Sequence, residues 1–170
     1  MDSTNWISKK IALLGYHAVG KTSLISQFVE QKFPESYLST IGLKVDKKTV
    51  ELGDHRLELI IWDIAGQENM AHIPQYYLNG CGGFIYVIDV SRPSTYEDLK
   101  TKLHMIQSMV PGAEMVIAAN KKDLLSASEL EEVLASCEIR PDISTSAKEN
   151  DNVEDLFNML ASKLLAAHES

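Results

Sequence analysis

Apolar residues recur along the chain at two spacings, one typical of buried strands and one typical of amphipathic helices. Short, largely apolar or alternating runs predict six strands, at 9–15, Leu43–Leu52, Arg56–Asp63, Gly83–Val90, Glu114–Asn120 and Asp142–Ser146. Gly53-Asp54 separates the second run from the third and indicates a hairpin turn. The run 83–90 is almost wholly apolar, as expected of a parallel strand covered on both faces.

Helical spacing appears between these runs. Thr22–Glu30 places Leu24, Ile25 and Phe28 on one face, and Ser94 and Ser126 each stand three residues before a glutamate, as in a capping box. The last predicted helix carries an apolar stripe of Val153, Leu156, Phe157, Leu160 and Leu164. Strand–helix units with one hairpin predict an α/β fold: a six-strand, mostly parallel sheet with one antiparallel edge strand and helices on both faces.

Composition bounds the class of protein. The 170 residues are 45% hydrophobic and 24% charged, which favours one globular domain over 1–170. No apolar run approaches a membrane span, no signal peptide is visible, and Cys81 and Cys137 fit buried, reduced thiols, so we expect a cytoplasmic domain. The net charge of −8 argues against nucleic acid or an anionic membrane as the main partner.

Residues 15–22 carry the most specific motif. They read G-x-x-x-x-G-K-T and follow a predicted strand, which is the pattern of a phosphate-binding loop leading into a helix. Backbone N–H groups of such a loop point at phosphate, Lys21 adds a positive charge, and the Thr22 hydroxyl is placed to ligate Mg²⁺. By itself the motif indicates a nucleoside triphosphate.

Three further motifs end the later strands. Asp63 can hold Mg²⁺ through water, the Gly66 N–H can approach a terminal phosphate, and the Gln67 amide can orient a water molecule. Read alone, these residues also fit a strand followed by a glycine turn. The other two motifs read N-K-K-D over 120–123 and T-S-A-K over 145–148. Each of them, read alone, also fits a polar loop.

A guanine base explains the last two motifs together. The Asp123 carboxylate can accept hydrogen bonds from the N1–H and the exocyclic amine of guanine, a donor pair that adenine lacks. Lys121 and Lys148 can cover the two sides of the base, and Asn120 can brace the phosphate loop. A backbone N–H, that of Ala147, is predicted to donate to the guanine carbonyl.

The four motifs, in this order over residues 15–148, resemble those of the Ras-superfamily small GTPases. Ser39–Gly42 and the W-D-I-A-G-Q-E form of 62–68 look most like the Rab branch, which implies a P-loop GTPase fold and a role in vesicle trafficking. The resemblance implies that Thr40 ligates Mg²⁺ and meets the γ-phosphate, that Phe33 packs against guanine, and that Tyr37 closes over the phosphates. The resulting binding set for GTP or GDP is Gly15, His17, Ala18, Val19, Gly20, Lys21, Thr22, Ser23, Phe33, Tyr37, Thr40, Gly66, Asn120, Lys121, Asp123, Ser146, Ala147 and Lys148. The metal set is Thr22, Thr40 and Asp63, and the catalytic set is Gln67, Lys21 and Thr40.

The expected activity is slow GTP hydrolysis by a monomeric molecular switch. No arginine lies in 31–42, where a finger in cis is expected, so an activating protein is implied, and an enclosed nucleotide implies an exchange factor. Loss of the γ-phosphate should release 31–42 and 64–77, which effectors would read in the GTP form. The expected apolar effector surface, part of which can instead be core, comprises Ile41, Leu43, Trp62, Ile73, Tyr76 and Tyr77.

Two departures from the family pattern leave alternatives open. His17 stands where small residues are usual, so it can crowd Gln67 and keep the protein GTP-loaded as a scaffold, or it can point outward without effect. Residues 164–170 contain neither cysteine nor a basic run, and Asp2 excludes N-myristoylation. Either a lipidated tail is missing from this sequence or the protein reaches membranes only through partners.

Overall fold

A six-stranded sheet forms the centre of the molecule. The computed structural model describes residues 5–36, 40–67 and 69–170. The strands are β1 (Asn5–Gly15), β2 (Leu43–Leu52), β3 (His55–Ile64), β4 (Cys81–Asp89), β5 (Glu114–Asn120) and β6 (Ile143–Ser144). Their order is β2-β3-β1-β4-β5-β6, with β2 antiparallel at one edge and every other pairing parallel. The predicted fold class is confirmed.

The helices cover both faces of this sheet. They are α1 (Lys21–Glu30), α2 (Gln75–Leu78), α3 (Leu99–Met109), α4 (Ala127–Ser136) and α5 (Val153–Glu169). Alternate residues of β1 enter two separate cores: Ile11 and Leu13 pack with α1 and α5, whereas Ala12 and Leu14 pack with α2 and α3. The rings of Phe28 and Phe157 stack 4.0 Å apart and join α1 to α5. Both faces of β1 are therefore covered over its apolar part, as that sequence requires.

Most predicted boundaries agree with the structure within one or two residues. The β2–β3 turn is at Gly53, and the capping box at the start of α4 joins Ser126 to Glu129 in both directions. The capping box predicted at Ser94 is wrong, because α3 begins at Leu99 with Asp98 as its N-cap. The preceding residues form a 3-10 turn over Pro93–Thr95 instead. The Thr95 hydroxyl ties that turn to the end of β4, because it accepts from the Asp89 N–H and donates to the carbonyls of Asp89 and Arg92.

Both cysteines are free thiols, Cys137 buried and Cys81 half-buried. Burial raises the pKa of both groups, which keeps them protonated. Within the described residues, no helix combines the length and the apolar character needed to cross a lipid bilayer.

Candidate functional site

A cleft lies where the parallel strands end. Its larger part has a volume of about 330 Å³ and includes His17, Ala18, Gly20, Lys21, Thr22, Ser23, Phe33, Thr40 and Gly66 in its lining. An adjoining cavity of about 200 Å³ includes Ala18, Gly20, Ser23, Phe33, Asn120, Lys121, Asp123, Ala147 and Lys148. The two parts share four residues, so the predicted phosphate and base motifs line one continuous cleft. Ligands bind at this edge in open α/β sheets.

The glycines that bound the loop between β1 and α1 leave space that side chains would fill. A Cβ at Gly15 would overlap the Val87 carbonyl, and one at Gly20 would overlap the Asn120 amide. Gly20 also has a φ of 103°, which glycine adopts at little cost. The two glycines thus allow the loop to pass close to β4 and β5.

Lys21 is buried at the first position of α1. Its Nζ donates to the carbonyls of Tyr16, at 2.7 Å, and Gly15, at 3.3 Å. Burial lowers its pKa to about 8, Asp63 opposes that change, and Arg92 adds to it. A bound polyanion would raise the pKa of Lys21 again, because opposite charge nearby favours the ammonium group.

Three side-chain oxygen groups meet beside Lys21. The Thr22 hydroxyl donates to Asp63 Oδ2 at 2.7 Å and lies 2.6 Å from the Thr40 hydroxyl. Asp63 Oδ1 is buried and has no hydrogen-bond partner among the described residues. Burial raises the pKa of Asp63, and the bond from Thr22 and the charge of Lys21 oppose this. Hard divalent cations prefer oxygen ligands, so these groups fit Mg²⁺.

The segment after β3 lies directly against the phosphate loop. A Cβ at Gly66 would overlap the backbone of His17 and lie 2.7 Å from the Tyr16 carbonyl carbon. The Gln67 N–H donates to the Gly15 carbonyl at 3.2 Å. The backbone of this segment is therefore tied to the loop, while the His17 side chain is exposed at the cleft.

Asn120 joins three segments at the other end of the cleft. Its Nδ2 donates to the Val19 carbonyl at 2.9 Å, and its Oδ1 accepts from Thr145 Oγ1 at 3.0 Å and the Ala147 N–H at 3.2 Å. The Ala147 N–H, predicted to donate to a base, is thus engaged by Asn120. Because both amide atoms are used within the fold, Asn120 sets the spacing between the loop and the base cavity.

Asp123 is half-buried and oriented by a neighbour. The buried Ser146 hydroxyl donates to its Oδ1 at 2.7 Å. Lys121 lines the same cavity and bonds to the Ala18 carbonyl at 2.7 Å. Phe33 and Lys148 are exposed at the cavity, in reach of a ligand there.

Two expectations concern residues outside this cleft. Tyr37 lies outside the described residues. In the predicted effector surface, Ile41 and Tyr76 are 93% and 64% exposed, but Ile73 is only 4% exposed and belongs to the core with α3. Trp62 is half-buried, and its ring lies edge-on to that of Tyr77.

Two residues near the phosphate loop, Asp89 and Arg92, belong to none of the predicted motifs. Arg92 Nη2 donates to the His17 carbonyl at 2.6 Å, and Arg92 Nε lies 3.3 Å from Asp89 Oδ2. Asp89 is 1% exposed. The sequence signal that could have identified this pair was the carboxylate of Asp89 within the apolar run of β4, because a buried charge requires a partner.

The comparisons with known proteins agree with this geometry. The Ras family model matches residues 10–166. The chain is 35% identical over 156 residues to the Ras-related protein SEC4 of Saccharomyces cerevisiae, covering 89% of this chain and 73% of that protein. It is 34% identical over 161 residues to the Ras-related protein Rab-13 of Mesocricetus auratus, covering 92% and 79%. It is also 34% identical over 160 residues to the Ras-related protein RABA6a of Arabidopsis thaliana, covering 91% and 69%. The chain therefore belongs to the Ras family, as a Rab-like small GTPase that hydrolyses GTP to GDP.

Proposed function

We propose that the cleft binds GTP and GDP together with Mg²⁺, with the phosphates at the 15–23 loop and the base in the adjoining cavity. The observation that carries this proposal is the meeting of the Thr22, Thr40 and Asp63 oxygens beside the buried Lys21. At the far end of the same cleft, Asp123 offers a carboxylate to the base. One elongated ligand with anionic and hydrogen-bond-donating ends fits both.

Asp123 would select guanine. The Ser146 hydroxyl orients its carboxylate, which can then accept two hydrogen bonds from the N1–H and exocyclic amine of guanine. Lys121, Lys148 and Phe33 would flank the ring, since all three line this cavity. Adenine would leave the carboxylate without matching donors, and an unpaired charged group is strongly disfavoured.

Thr22, Thr40 and Asp63 would hold the metal ion, directly or through water. When bound, Mg²⁺ neutralises charge on the phosphate oxygens. Lys21 would add positive charge beside those oxygens, and Gln67 would orient water toward the terminal phosphate. The chain provides no arginine within 31–42, so we expect slow turnover without an activating protein.

The switch would follow from contacts to the γ-phosphate. Thr40 and the Gly66 N–H would hold 31–42 and 64–77 in one arrangement, and hydrolysis would release both segments. The exposed Ile41 and Tyr76 belong to the surface that effectors would then bind. An exchange factor would be needed to open the enclosed site.

Binding competition tests base selection. Unlabelled GTP should displace a fluorescent GDP from the purified protein, whereas ATP at the same concentration should not. Asp123→Asn should lose affinity for guanine nucleotides and gain affinity for xanthine nucleotides, because its amide can donate to the additional carbonyl of xanthine. Asp155→Asn, an exposed change of the same type in α5, is the matched control. Equal displacement by ATP and GTP would contradict the proposal.

His17 favours a second candidate, a GTP-loaded scaffold with little turnover. Its side chain is exposed at the phosphate cleft, and its backbone contacts Gly66. Single-turnover GTP hydrolysis should distinguish the two functions when wild type and His17→Gly are compared. A clear acceleration in the variant would support the scaffold, and equal slow rates would support the switch.

A further inference from the structure

Side chains hold three consecutive carbonyl groups of the phosphate loop. Arg92 Nη2 donates to the carbonyl of residue 17 at 2.6 Å, Lys121 Nζ to that of residue 18 at 2.7 Å, and Asn120 Nδ2 to that of residue 19 at 2.9 Å. Because the N–H and C=O of a peptide point in opposite directions, holding these carbonyls fixes the direction of the N–H groups that follow them.

Only two of these three donors belong to the predicted base motif. Arg92 comes from the turn after β4, which the Thr95 hydroxyl closes by donating to the Arg92 carbonyl at 2.8 Å. The buried Asp89 carboxylate lies 3.3 Å from Arg92 Nε and 2.9 Å from Lys121 Nζ. One carboxylate thus holds the two cations that bond to adjacent loop carbonyls.

The loop has a particular need for such support. Ala18 has a φ of 62°, a conformation that residues other than glycine adopt infrequently. Gly66 contacts the His17 backbone, so the peptide at residue 17 lies between Gly66 and Arg92. A displacement of that peptide would therefore also move the segment that carries Gln67.

We propose that Asp89 and Arg92 are positioning residues that keep the phosphate loop, at His17 and Ala18, in its phosphate-binding conformation. The inference rests on the proposed binding of GTP and GDP at this loop. Arg92 acts through the His17 carbonyl and not through contact with the reacting atoms. Asp89 acts by holding Arg92 and Lys121 in place.

Three variants test the proposal. Arg92→Ala removes the bond to the His17 carbonyl, and Arg92→Lys keeps the charge but loses the planar group that reaches His17 and Asp89 together. Arg140→Ala is the matched control, since Arg140 is exposed and pairs with Glu131 at 3.0 and 2.9 Å, away from the cleft. Arg92 is itself 40% exposed, so its loss should leave the fold intact.

Two readouts separate positioning from general stability. The ¹³C resonance of the His17 carbonyl, read by NMR with and without GDP, should move upfield in Arg92→Ala, because a carbonyl that loses a charged donor is less polarised. GDP dissociation should accelerate by about tenfold in Arg92→Ala, less in Arg92→Lys and not in Arg140→Ala, as expected for one charge-assisted bond.

Each result has one meaning. If Arg92→Ala leaves the His17 resonance where Arg140→Ala does, or if it leaves GDP dissociation at the control rate, the positioning role is refuted. If the wild type binds no guanine nucleotide but the His17 resonance still moves, the proposed function fails while the contact from Arg92 to the loop stands. Movement of the resonance together with faster dissociation and partial rescue by lysine supports the whole inference.

Discussion

Replacement of Asn120 by alanine should destabilise the fold well beyond the loss of a surface amide. The side chain satisfies three buried groups: the Val19 carbonyl, the Thr145 hydroxyl and the Ala147 N–H. Each buried group left without its partner costs roughly 1–3 kcal/mol, which gives about 3–9 kcal/mol for the three. Ala147 lines the adjoining cavity, where water can replace part of the lost bonding, so we expect a loss of about 3–4 kcal/mol in the free energy of unfolding.

Urea unfolding of the nucleotide-free protein, followed by circular dichroism, measures this loss. With a urea dependence of about 2 kcal/mol per molar, the midpoint should fall by about 1.5–2 M. Asn69→Ala is the control, because that exposed side chain accepts only the Ala71 N–H among the described residues and should cost about 1 kcal/mol. A loss at Asn120 no larger than the loss at Asn69 would refute the reasoning.

A conservative variant locates the effect within the network. Asn120→Asp keeps an acceptor for Thr145 and Ala147 but has no donor for the Val19 carbonyl. Its buried carboxylate would also place an oxygen against the Val19 carbonyl, so its loss of stability should equal or exceed that of Asn120→Ala. A loss clearly smaller than that of Asn120→Ala would show that the acceptor bonds, and not the bond to the phosphate loop, carry the contribution of Asn120.

The remaining predictions concern three other positions. Gly66→Ala should lower the free energy of unfolding by about 1–3 kcal/mol in thermal or urea denaturation, because its Cβ would overlap the His17 backbone; an unchanged midpoint would mean that the two segments are not packed as described. Lys21, with a pKa of about 8 in the nucleotide-free protein, should be more fully protonated when phosphates are bound. Its contribution to GDP affinity should thus be constant well below pH 8 and decline above it, by up to about tenfold per pH unit, with proton uptake visible by calorimetry in buffers of different ionisation enthalpy. A flat affinity between pH 7 and 9 would contradict the lowered pKa. Ser126→Ala should cost about 1 kcal/mol in the same denaturation assay through loss of the capping bond from the Glu129 N–H, and a cost near zero would show that the capping box does not stabilise α4.

The sequence predicted the sheet and most of its helices because their residues are periodic and their neighbours in the chain set their ends. β2 and β5 begin and end where predicted, and the α4 capping box needs only Ser126 and Glu129. The error at Ser94 has the opposite cause. A local capping pattern there competes with hydrogen bonds from Thr95 back to Asp89, which only the folded turn brings together.

The candidate site also combines features that the local sequence predicts with features that only tertiary contacts determine. The motif residues could be listed from the sequence alone, because each motif has particular residue types at a fixed spacing within its own loop. Tertiary structure decided which predicted groups can still contact a ligand or a partner. The Ala147 N–H donates to Asn120, and Ile73, predicted for the effector surface, is buried in the core. These outcomes depend on contacts between segments distant in the chain, and no local pattern encodes them.

Patterns of neighbouring residues in the sequence thus determined the family, the fold and the residue types of the cleft. Only the three-dimensional arrangement revealed that Arg92, paired with Asp89, reaches the phosphate loop at His17, 75 residues away along the chain. The physical reason is that a buried charge must find a partner, but the sequence does not state which one. Packing of β4 beside β1 makes that choice, because it places the turn after β4 next to the loop after β1.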